Sequence, residues 1–306
     1  MSTFILSEYQ MRAQYIEYQD WHVGCFSPFD LNSSVDNVDV SARPVVVFLH
    51  GFPSASSDWK AQWHALKDTH FCIGLDFLGF GISDKPYPHQ YSLHEQADIV
   101  ELLFARLIER GITKIHLVAH DYGVSVAQEL LARQQQQRLA LNISSVVFMN
   151  GGLFAALHKP ILTQKLLKSP IGGLLSKLMS KRTLAGSFNQ IFGPKTPPQP
   201  ELIDELWQLL NIHQGRRVIP QLLSYIDERY ANATRWQDAL TQAKIPLTLI
   251  NGVHDPISGQ HMLNEFERLL PQTHNTPLNV GHYPQIEAPE AVTQALRDFW
   301  AKLSSE

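Results

Sequence analysis

The stretch KIHLVAHDYGVSVAQ, residues 114–128, decides the fold. Its first seven residues are largely apolar, as is typical of a buried strand, whereas the residues after Asp121 follow a helical pattern. Where a strand turns sharply into a helix, the residues two before and two after the tip of the elbow must be small, because the two backbones come very close. Ala119 and Gly123 meet that demand and place Asp121 at the tip.

A carboxylate at this tip indicates a nucleophile. The elbow lifts the side chain above the C-terminal edge of the sheet, where open α/β folds bind ligands, and the helix N-terminus favours negative charge. An ionised Asp121 attacks without a base and suits displacement at an sp³ carbon, which gives an ester between enzyme and substrate. Two alternatives stay open. Asp121 also fits a helix N-cap, and GVSVA (123–127), one residue short of G-x-S-x-G, offers Ser125 as the nucleophile.

Other runs of the chain resemble the first strand and alternate with helical patterns. The clearest helix begins at Ser92, where SLHE predicts a capping box with Glu95, and it ends at Gly111. Strands that alternate with helices predict an α/β fold with a mostly parallel sheet and right-handed crossovers. The predicted strands besides 114–120 are RPVVVFLH (43–50), FCIGLD (71–76), SSVVFMN (144–150), IPLTLING (245–252) and NTPLNV (275–280).

The region 151–244 breaks the alternation, because it carries helical patterns and no convincing strand. We therefore predict a first part of an α/β core in 1–150, an inserted helical lid in 151–244 and a second part of the core in 245–306. Within the lid, HKPILTQKLLKSPIGGLLSKLMSKR (158–182) is basic and amphipathic. Its prolines and glycines break any long helix, so we interpret it as the solvated face of lid helices, with a membrane-surface role as the alternative.

Two turns near the predicted elbow complete a site for ester chemistry. HGFP (50–53) follows a strand and is placed to aim the backbone N–H of Phe52 above the elbow, where it would form an oxyanion hole with the N–H of Tyr122. His282, in NVGHYPQIEAPE, follows the last strand pattern and is predicted to deprotonate water for attack on the ester.

The predicted base needs a carboxylate to orient it. Asp255, in NGVHDPIS, follows a strand pattern, and the order nucleophile, acid, histidine fits this type of site. The other position for such an acid is occupied by Asn150, which does not ionise, so Asp255 takes the role by elimination.

Composition narrows the function classes. The chain has 44% apolar and 18% charged residues and a net charge of -4, which is typical of a soluble globular protein and favours neither nucleic acid nor an acidic polymer as partner. Its two cysteines, Cys25 and Cys72, form no CxxC and indicate a reduced compartment. There is no signal-peptide pattern at the N-terminus, no run of about 18 apolar residues and no HExxH. We expect a cytoplasmic protein with no integral membrane segment, no cofactor and no metal.

Together these pieces resemble the α/β-hydrolase superfamily, and within it the branch of epoxide hydrolases and haloalkane dehalogenases that uses an Asp nucleophile. The resemblance runs closer to the mesoderm-specific transcript group. It is carried by DFLGFGISDKPYPHQYS (76–92), HDYGVSVAQELL (120–131), NGGLF (150–154), FGP (192–194) and HYPQIEAPE (282–290).

The resemblance implies a hydrolase that acts on a small apolar substrate and water through an ester on Asp121. Haloalkane dehalogenases hold the halide between a Trp and an Asn at positions that are Tyr122 and Phe52 here. An epoxide is therefore the expected substrate, and a carbon–halogen bond is the alternative. Epoxide hydrolases protonate the leaving oxygen from lid tyrosines, and Tyr225 matches one of these positions.

Four side chains are expected to contact the substrate, and two of them, Trp207 and His213, would assist the single lid acid. The expected contacts are Phe52, Tyr122, Trp207 and His213. A ligand-binding protein of this fold with weak catalysis is the alternative from another class, and its single matching lid tyrosine is the feature that favours it.

Overall fold

The computed structural model describes residues 6–33 and 39–303. Within these ranges, eight strands form one sheet in the order β1-β2-β4-β3-β5-β6-β7-β8. The β1–β2 and β2–β4 pairs are antiparallel and the other neighbours are parallel. The strands are β1 (Gln14–Tyr18), β2 (Trp21–Phe26), β3 (Val45–Leu49), β4 (Phe71–Leu75), β5 (Lys114–His120), β6 (Asn142–Met149), β7 (Leu247–Gly252) and β8 (Thr276–Leu278).

Helices connect most of the parallel strands. They are α1 (Leu6–Arg12), α2 (Lys60–Leu66), α3 (Leu93–Glu109), α4 (Tyr122–Gln135), α5 (Leu162–Leu167), α6 (Gly172–Leu178), α7 (Lys181–Ile191), α8 (Pro200–Asn211), α9 (Ile219–Leu222), α10 (Tyr225–Ala231), α11 (Ala233–Thr241), α12 (Gln260–Leu269), α13 (Pro284–Glu287) and α14 (Pro289–Leu303). Short 3₁₀ turns occupy Ser56–Trp59, Ala155–Leu157 and Ile212–Val218.

The sheet is buried on both faces, which explains the continuous apolar runs of its central strands. Along β3, Val46 and Phe48 pack in one apolar cluster with Trp300 of α14, whereas Val47 and Leu49 belong to the larger cluster on the opposite face. Successive side chains of a strand point to opposite faces, so a strand covered on both sides needs apolar residues at every position. The predicted α/β fold with a mostly parallel sheet is confirmed.

Helix α3 follows the predicted signals with one difference. Ser92 Oγ accepts a hydrogen bond from the Glu95 N–H at 3.0 Å, and Gly111 ends the helix with φ +82. The Glu95 carboxylate lies 2.9 Å from His89 Nε2 instead of reaching back to Ser92. That half of the predicted capping box is wrong, because the imidazole offers the carboxylate a nearer partner.

Between β6 and β7 the chain passes through α5 to α11, and the last of these helices packs on the core. Arg235 and Trp236 of α11 both donate to Glu129 of α4, at 2.8 and 2.9 Å. This buried carboxylate anchors the end of the helical region beside the elbow helix. In the two described ranges, no helix combines the length and the apolar character that crossing a membrane requires.

Candidate active site

Asp121 lies at the turn between β5 and α4 in a strained backbone conformation. Its φ of 43 and ψ of -100 are unusual for a residue with a side chain, and its N–H donates to the Met149 carbonyl oxygen at 3.2 Å. A Cβ on Gly123 would come within 2.8 Å of the carbonyl oxygens of Leu49 and His50. The close approach of the two backbones thus explains the small residue expected at this position.

The two oxygens of the Asp121 carboxylate have different surroundings. Oδ2 accepts a hydrogen bond from the Phe52 N–H at 3.0 Å, and Oδ1 lies 3.9 Å from His282 Nε2. The carboxylate is almost fully buried. A backbone donor therefore fixes one oxygen where an oxyanion would form, and the other oxygen faces the imidazole.

His282 and Asp255 are brought together by the turns after β8 and β7. His282 Nδ1 lies 2.7 Å from Asp255 Oδ2, which orients the imidazole. The same oxygen accepts from Ser258 Oγ at 2.7 Å and from Asn150 Nδ2 at 3.0 Å. Asn150, considered above only as a position that does not ionise, thus supports the carboxylate that orients His282.

The charges of the site are mutually dependent. Burial raises the pKa of Asp121, but the neighbouring His282 and Arg229 have a larger, opposite effect. The net pKa is therefore lowered, and the carboxyl is ionised. Burial lowers the pKa of His282, but the charges of Asp255 and Asp121 raise it to about 10. Burial raises the pKa of Asp255, and His282 more than offsets that, so this pKa is also lowered. At neutral pH the site therefore holds an imidazolium between two carboxylates.

His120 supports the backbone of His282 from the end of β5. His120 Nε2 donates to the His282 carbonyl oxygen at 2.7 Å, and the two rings lie 5.0 Å apart. Burial lowers the pKa of His120 to about 3, so its imidazole is neutral and adds no positive charge beside His282.

Arg229 of α10 is a site residue that sequence reasoning missed. Its guanidinium is 1% exposed; Nη2 donates to the Asp121 carbonyl oxygen at 2.9 Å and lies 3.6 Å from Asp121 Oδ1. Nε donates to Ser125 Oγ at 2.8 Å. Ser125, the alternative nucleophile, is thus fully buried within α4 and bonded to a guanidinium. The sequence gives no signal for this arrangement, because it depends on how α10 docks on the elbow.

A small cavity opens onto the Asp121 carboxylate. Its volume is about 80 Å³, and Phe52, Asp121 and His282 form the end at which the chemistry would occur. The helices between β6 and β7 and neighbouring loops supply the remaining walls, which are mainly apolar. These walls are Pro53, Ile161, Thr163, Gln164, Leu167, Met179, Thr183, Leu184, Ser187, Phe188, Ile191, Leu210, Ile219 and Ile257.

Tyr225 lies directly behind the cavity wall. Its hydroxyl accepts a hydrogen bond from Gln164 Nε2 at 3.2 Å, and its ring lies 6.0 Å from the ring of Phe52. Burial and the charge of Asp121 raise the pKa of Tyr225 well above its ordinary value. A phenol in this setting keeps its proton until a strong base, such as an alkoxide, forms beside it.

Three residues expected to contact the substrate lie elsewhere. The ring of Tyr122 packs 5.4 Å from Phe77 and 5.1 Å from Phe80 in the core. Trp207 lies under the guanidinium of Arg216 at 5.1 Å, and His213 Nδ1 lies 3.7 Å from Asp84 Oδ1 at the surface. The cavity walls in the described ranges include Phe52 but not the side chains of Tyr122, Trp207 or His213, so the substrate contacts expected of these three are wrong for this cavity; Tyr225 is also not a wall residue and contacts the wall through Gln164. The sequence does not specify where Trp207 and His213 are placed relative to the core, and the Tyr122 ring packs with aromatic residues of the core instead.

Comparison with known proteins gives one family over most of the chain. Residues 44–289 match the family described as alpha/beta hydrolase fold. The mesoderm-specific transcript protein of Mus musculus is 42% identical over 274 residues, which cover 86% of this chain and 81% of that protein. LipZ of Mycobacterium tuberculosis (strain ATCC 25618 / H37Rv) is 38% identical over 255 residues, which cover 82% and 86%.

A solved structure agrees with the fold. The haloalkane dehalogenase DatA from Agrobacterium tumefaciens C58 superposes with a TM-score of 0.75 at 19% sequence identity, over 95% of this chain and 96% of that chain. At this identity the likeness concerns the fold and not the substrate.

Proposed function

The chain belongs to the alpha/beta hydrolase fold family, as do the mesoderm-specific transcript proteins that it resembles, and on that premise we propose that it is a hydrolase working through an ester on Asp121. One observation carries the proposal: the ionised Asp121 carboxylate has Oδ2 on the Phe52 N–H at 3.0 Å and Oδ1 3.9 Å from His282, at the end of an apolar cavity. That asymmetry leaves Oδ1 as the attacking atom.

In the first step Asp121 Oδ1 forms a bond to an sp³ carbon of the substrate. For an epoxide, the carbon–oxygen bond of the ring breaks and its electron pair goes to the leaving oxygen. Tyr225 gives that oxygen a proton and is reprotonated through water, to which His282 releases its own proton once Asp121 is esterified. The hydrogen bond from Gln164 Nε2 supports this role, because it stabilises the transient phenolate.

Ester formation then prepares the second step. Esterified Asp121 carries no charge, so His282 loses one of the two carboxylates that raise its pKa and becomes a competent base. The imidazole takes a proton from water, and the oxygen of that water attacks the carbonyl carbon of the ester, which is Cγ of Asp121. The Phe52 N–H, together with the expected Tyr122 N–H, stabilises the oxyanion on Oδ2. When the ester bond breaks, the second proton of the attacking water passes to the departing alkoxide, so the product leaves as a diol. Its new hydroxyl oxygen comes from Asp121, and the Asp121 carboxylate and the imidazolium are restored.

The surroundings of Asp121 favour an epoxide over a carbon–halogen bond. A halide needs donors beside the reacting carbon, but the Phe52 side chain has no donor and the Tyr122 ring packs away from the cavity between other aromatic rings. An epoxide oxygen needs a proton, and the buried Tyr225 beside Gln164 supplies one. A haloalkane remains the second candidate, supported by the same attacking carboxylate.

The test is the intact mass of His282→Gln after exposure to a panel of epoxides, haloalkanes and esters. We expect at least one epoxide to leave an adduct whose mass equals protein plus substrate, mapped by proteolysis to the peptide with Asp121. The matched control, Asp121→Asn/His282→Gln, should stay unmodified. An adduct on Ser125, or turnover by Asp121→Ala, would overturn the proposal.

A further inference from the structure

The lid carries a strong charge asymmetry. Residues 151–200 contain seven of the chain's 25 Lys and Arg and none of its 29 Asp and Glu. The rest of the chain therefore has 18 basic and 29 acidic residues, so a mildly acidic protein includes one segment that is purely basic. Lys168 and Lys181 of this segment pair with Asp227 and Asp204 of later helices. The segment as a whole is still attracted to an anionic surface, while the acidic remainder of the molecule is repelled from it.

Exposed apolar side chains concentrate in the same segment. Ten large apolar side chains are exposed in the described part of the chain, and five of them fall between residues 162 and 178. Their exposed fractions lie between 44% and 69%. We call these five residues the outer lid face: Leu162, Leu166, Ile171, Leu174 and Leu178.

Helices α5 and α6 both expose this face, and α5 also lines the cavity with its opposite side. On α5, Leu162 and Leu166 are one turn apart and exposed, whereas Gln164 and Leu167 are buried and line the cavity. On α6, Leu174 and Leu178 are likewise one turn apart, and Ser176 between them is fully buried. On α5, a single helix thus separates the exposed leucines from the cavity.

Lysines flank the exposed leucines on both helices. Lys165 lies beside Leu166, and Lys177 lies beside Leu178; both lysines are exposed. Two short helices that combine exposed leucines with lysines match the chemistry of interfacial helices, in which apolar residues enter the acyl boundary and basic residues meet anionic headgroups.

We propose that the outer lid face docks on an anionic phospholipid bilayer. The charge distribution decides between this occupant and a second copy of the chain. A second copy would bring two basic faces together, whereas an anionic bilayer attracts the lid and repels the acidic remainder, which orients the molecule lid-down. Docking does not depend on the chemistry at Asp121, and its test measures binding alone.

The experiment is cosedimentation of the full chain with vesicles of phosphatidylcholine alone or with about one third phosphatidylglycerol. We expect binding to the anionic vesicles that falls at least about tenfold when the salt concentration is raised from about 0.05 M to 0.5 M. Leu174→Gln/Leu178→Gln and Lys165→Glu/Lys177→Glu should each lose most of the binding. Met11→Gln and Lys114→Glu are matched exposed controls away from the lid and should bind like the unaltered chain.

The proposal is overturned by either of two results. One is equal or absent binding on neutral and anionic vesicles. The other is unchanged vesicle binding by both lid variants, with circular dichroism matching that of the unaltered chain. Sedimentation velocity without vesicles tests the rival occupant, a second copy of the chain. A dimer that Leu174→Gln/Leu178→Gln dissociates, together with no vesicle binding, would assign the outer lid face to that second copy instead.

Discussion

Arg229 donates from Nη2 to the backbone carbonyl oxygen of Asp121 at 2.9 Å. The bond ties α10 to the strained tip of the elbow. The same guanidinium donates to Ser125 Oγ and lies 4.5 Å over the Tyr225 ring. Arg229 thus contacts both the proposed nucleophile and the proposed proton donor, which makes it a candidate positioning residue for the attack.

Replacing Arg229 by Met is expected to destabilise the protein by about 3 kcal/mol, because the Asp121 carbonyl and Ser125 would be buried without their donor. Urea denaturation measures this loss. Arg229→Lys keeps the charge but not the fork of donors, so we expect a smaller loss of stability and slower adduct formation. Arg182→Met, at an exposed position of α7, is the control. Equal stability of Arg229→Met and the unaltered protein would refute the role.

Because the pKa of His282 is raised, the free energy of unfolding is expected to fall as the pH becomes alkaline. Its folded pKa of about 10 lies above the ordinary 6.5, so the protonated imidazole stabilises the folded state fully below pH 6.5. This contribution, of the order of a few kcal/mol, is lost as the pH rises towards 10. The difference in free energy of unfolding between the unaltered protein and His282→Gln should therefore shrink across that window. A difference that is constant from pH 6 to pH 10 would contradict the claim that Asp255 and Asp121 stabilise a protonated His282.

Removing the hydroxyl of Tyr225 distinguishes a leaving group that needs a proton from one that does not. In the His282→Gln background, Tyr225→Phe should slow adduct formation from an epoxide by about 10²-fold or more, since the leaving oxygen then lacks its acid. An alkyl bromide needs no proton, so its adduct should form at an unchanged rate. Stopped-time mass spectra give both rates, and Tyr230→Phe, exposed on the same helix, is the control. Equal slowing of both substrates would assign Tyr225 a packing role.

The carboxylate that orients the base is tested by Asp255→Asn. The 2.7 Å contact between Asp255 and His282 holds the imidazole and raises its pKa, so the variant should form the ester but hydrolyse it slowly. The intact mass during turnover should show the accumulated adduct. A normal rate of ester hydrolysis would exclude this role.

The central strands and the elbow were accessible from sequence because their burial leaves little choice of residue. All five positions of β3 are buried, and Gly123 meets a steric limit that only a small residue satisfies. Strands β1 and β2 were missed. They form the antiparallel edge of the sheet, and in β1 only Ile16 is buried, so its pattern resembles that of a loop.

The lid contribution could not be read from sequence in the same way. Arg229 stands between Glu228 and Tyr230 and has the pattern of a solvated helix, yet it is buried because α10 docks on the elbow. The basic segment 158–182 was interpreted as a solvated face, but Gln164 and Leu167 within it line the cavity. Contacts between separate elements determine whether these side chains are buried or line the cavity, and local periodicity does not encode such contacts.

The central claim is that Asp121 forms the bond to substrate, and oxygen transfer measures it directly. A single turnover in ¹⁸O-water, with enzyme in excess over an epoxide that forms the His282→Gln adduct, is followed by mass analysis of product and of the peptide that contains Asp121. We predict a diol without the heavy isotope and one ¹⁸O in the Asp121 carboxylate. Label in the diol and none in Asp121 would mean that water attacks the substrate itself, and would contradict the mechanism.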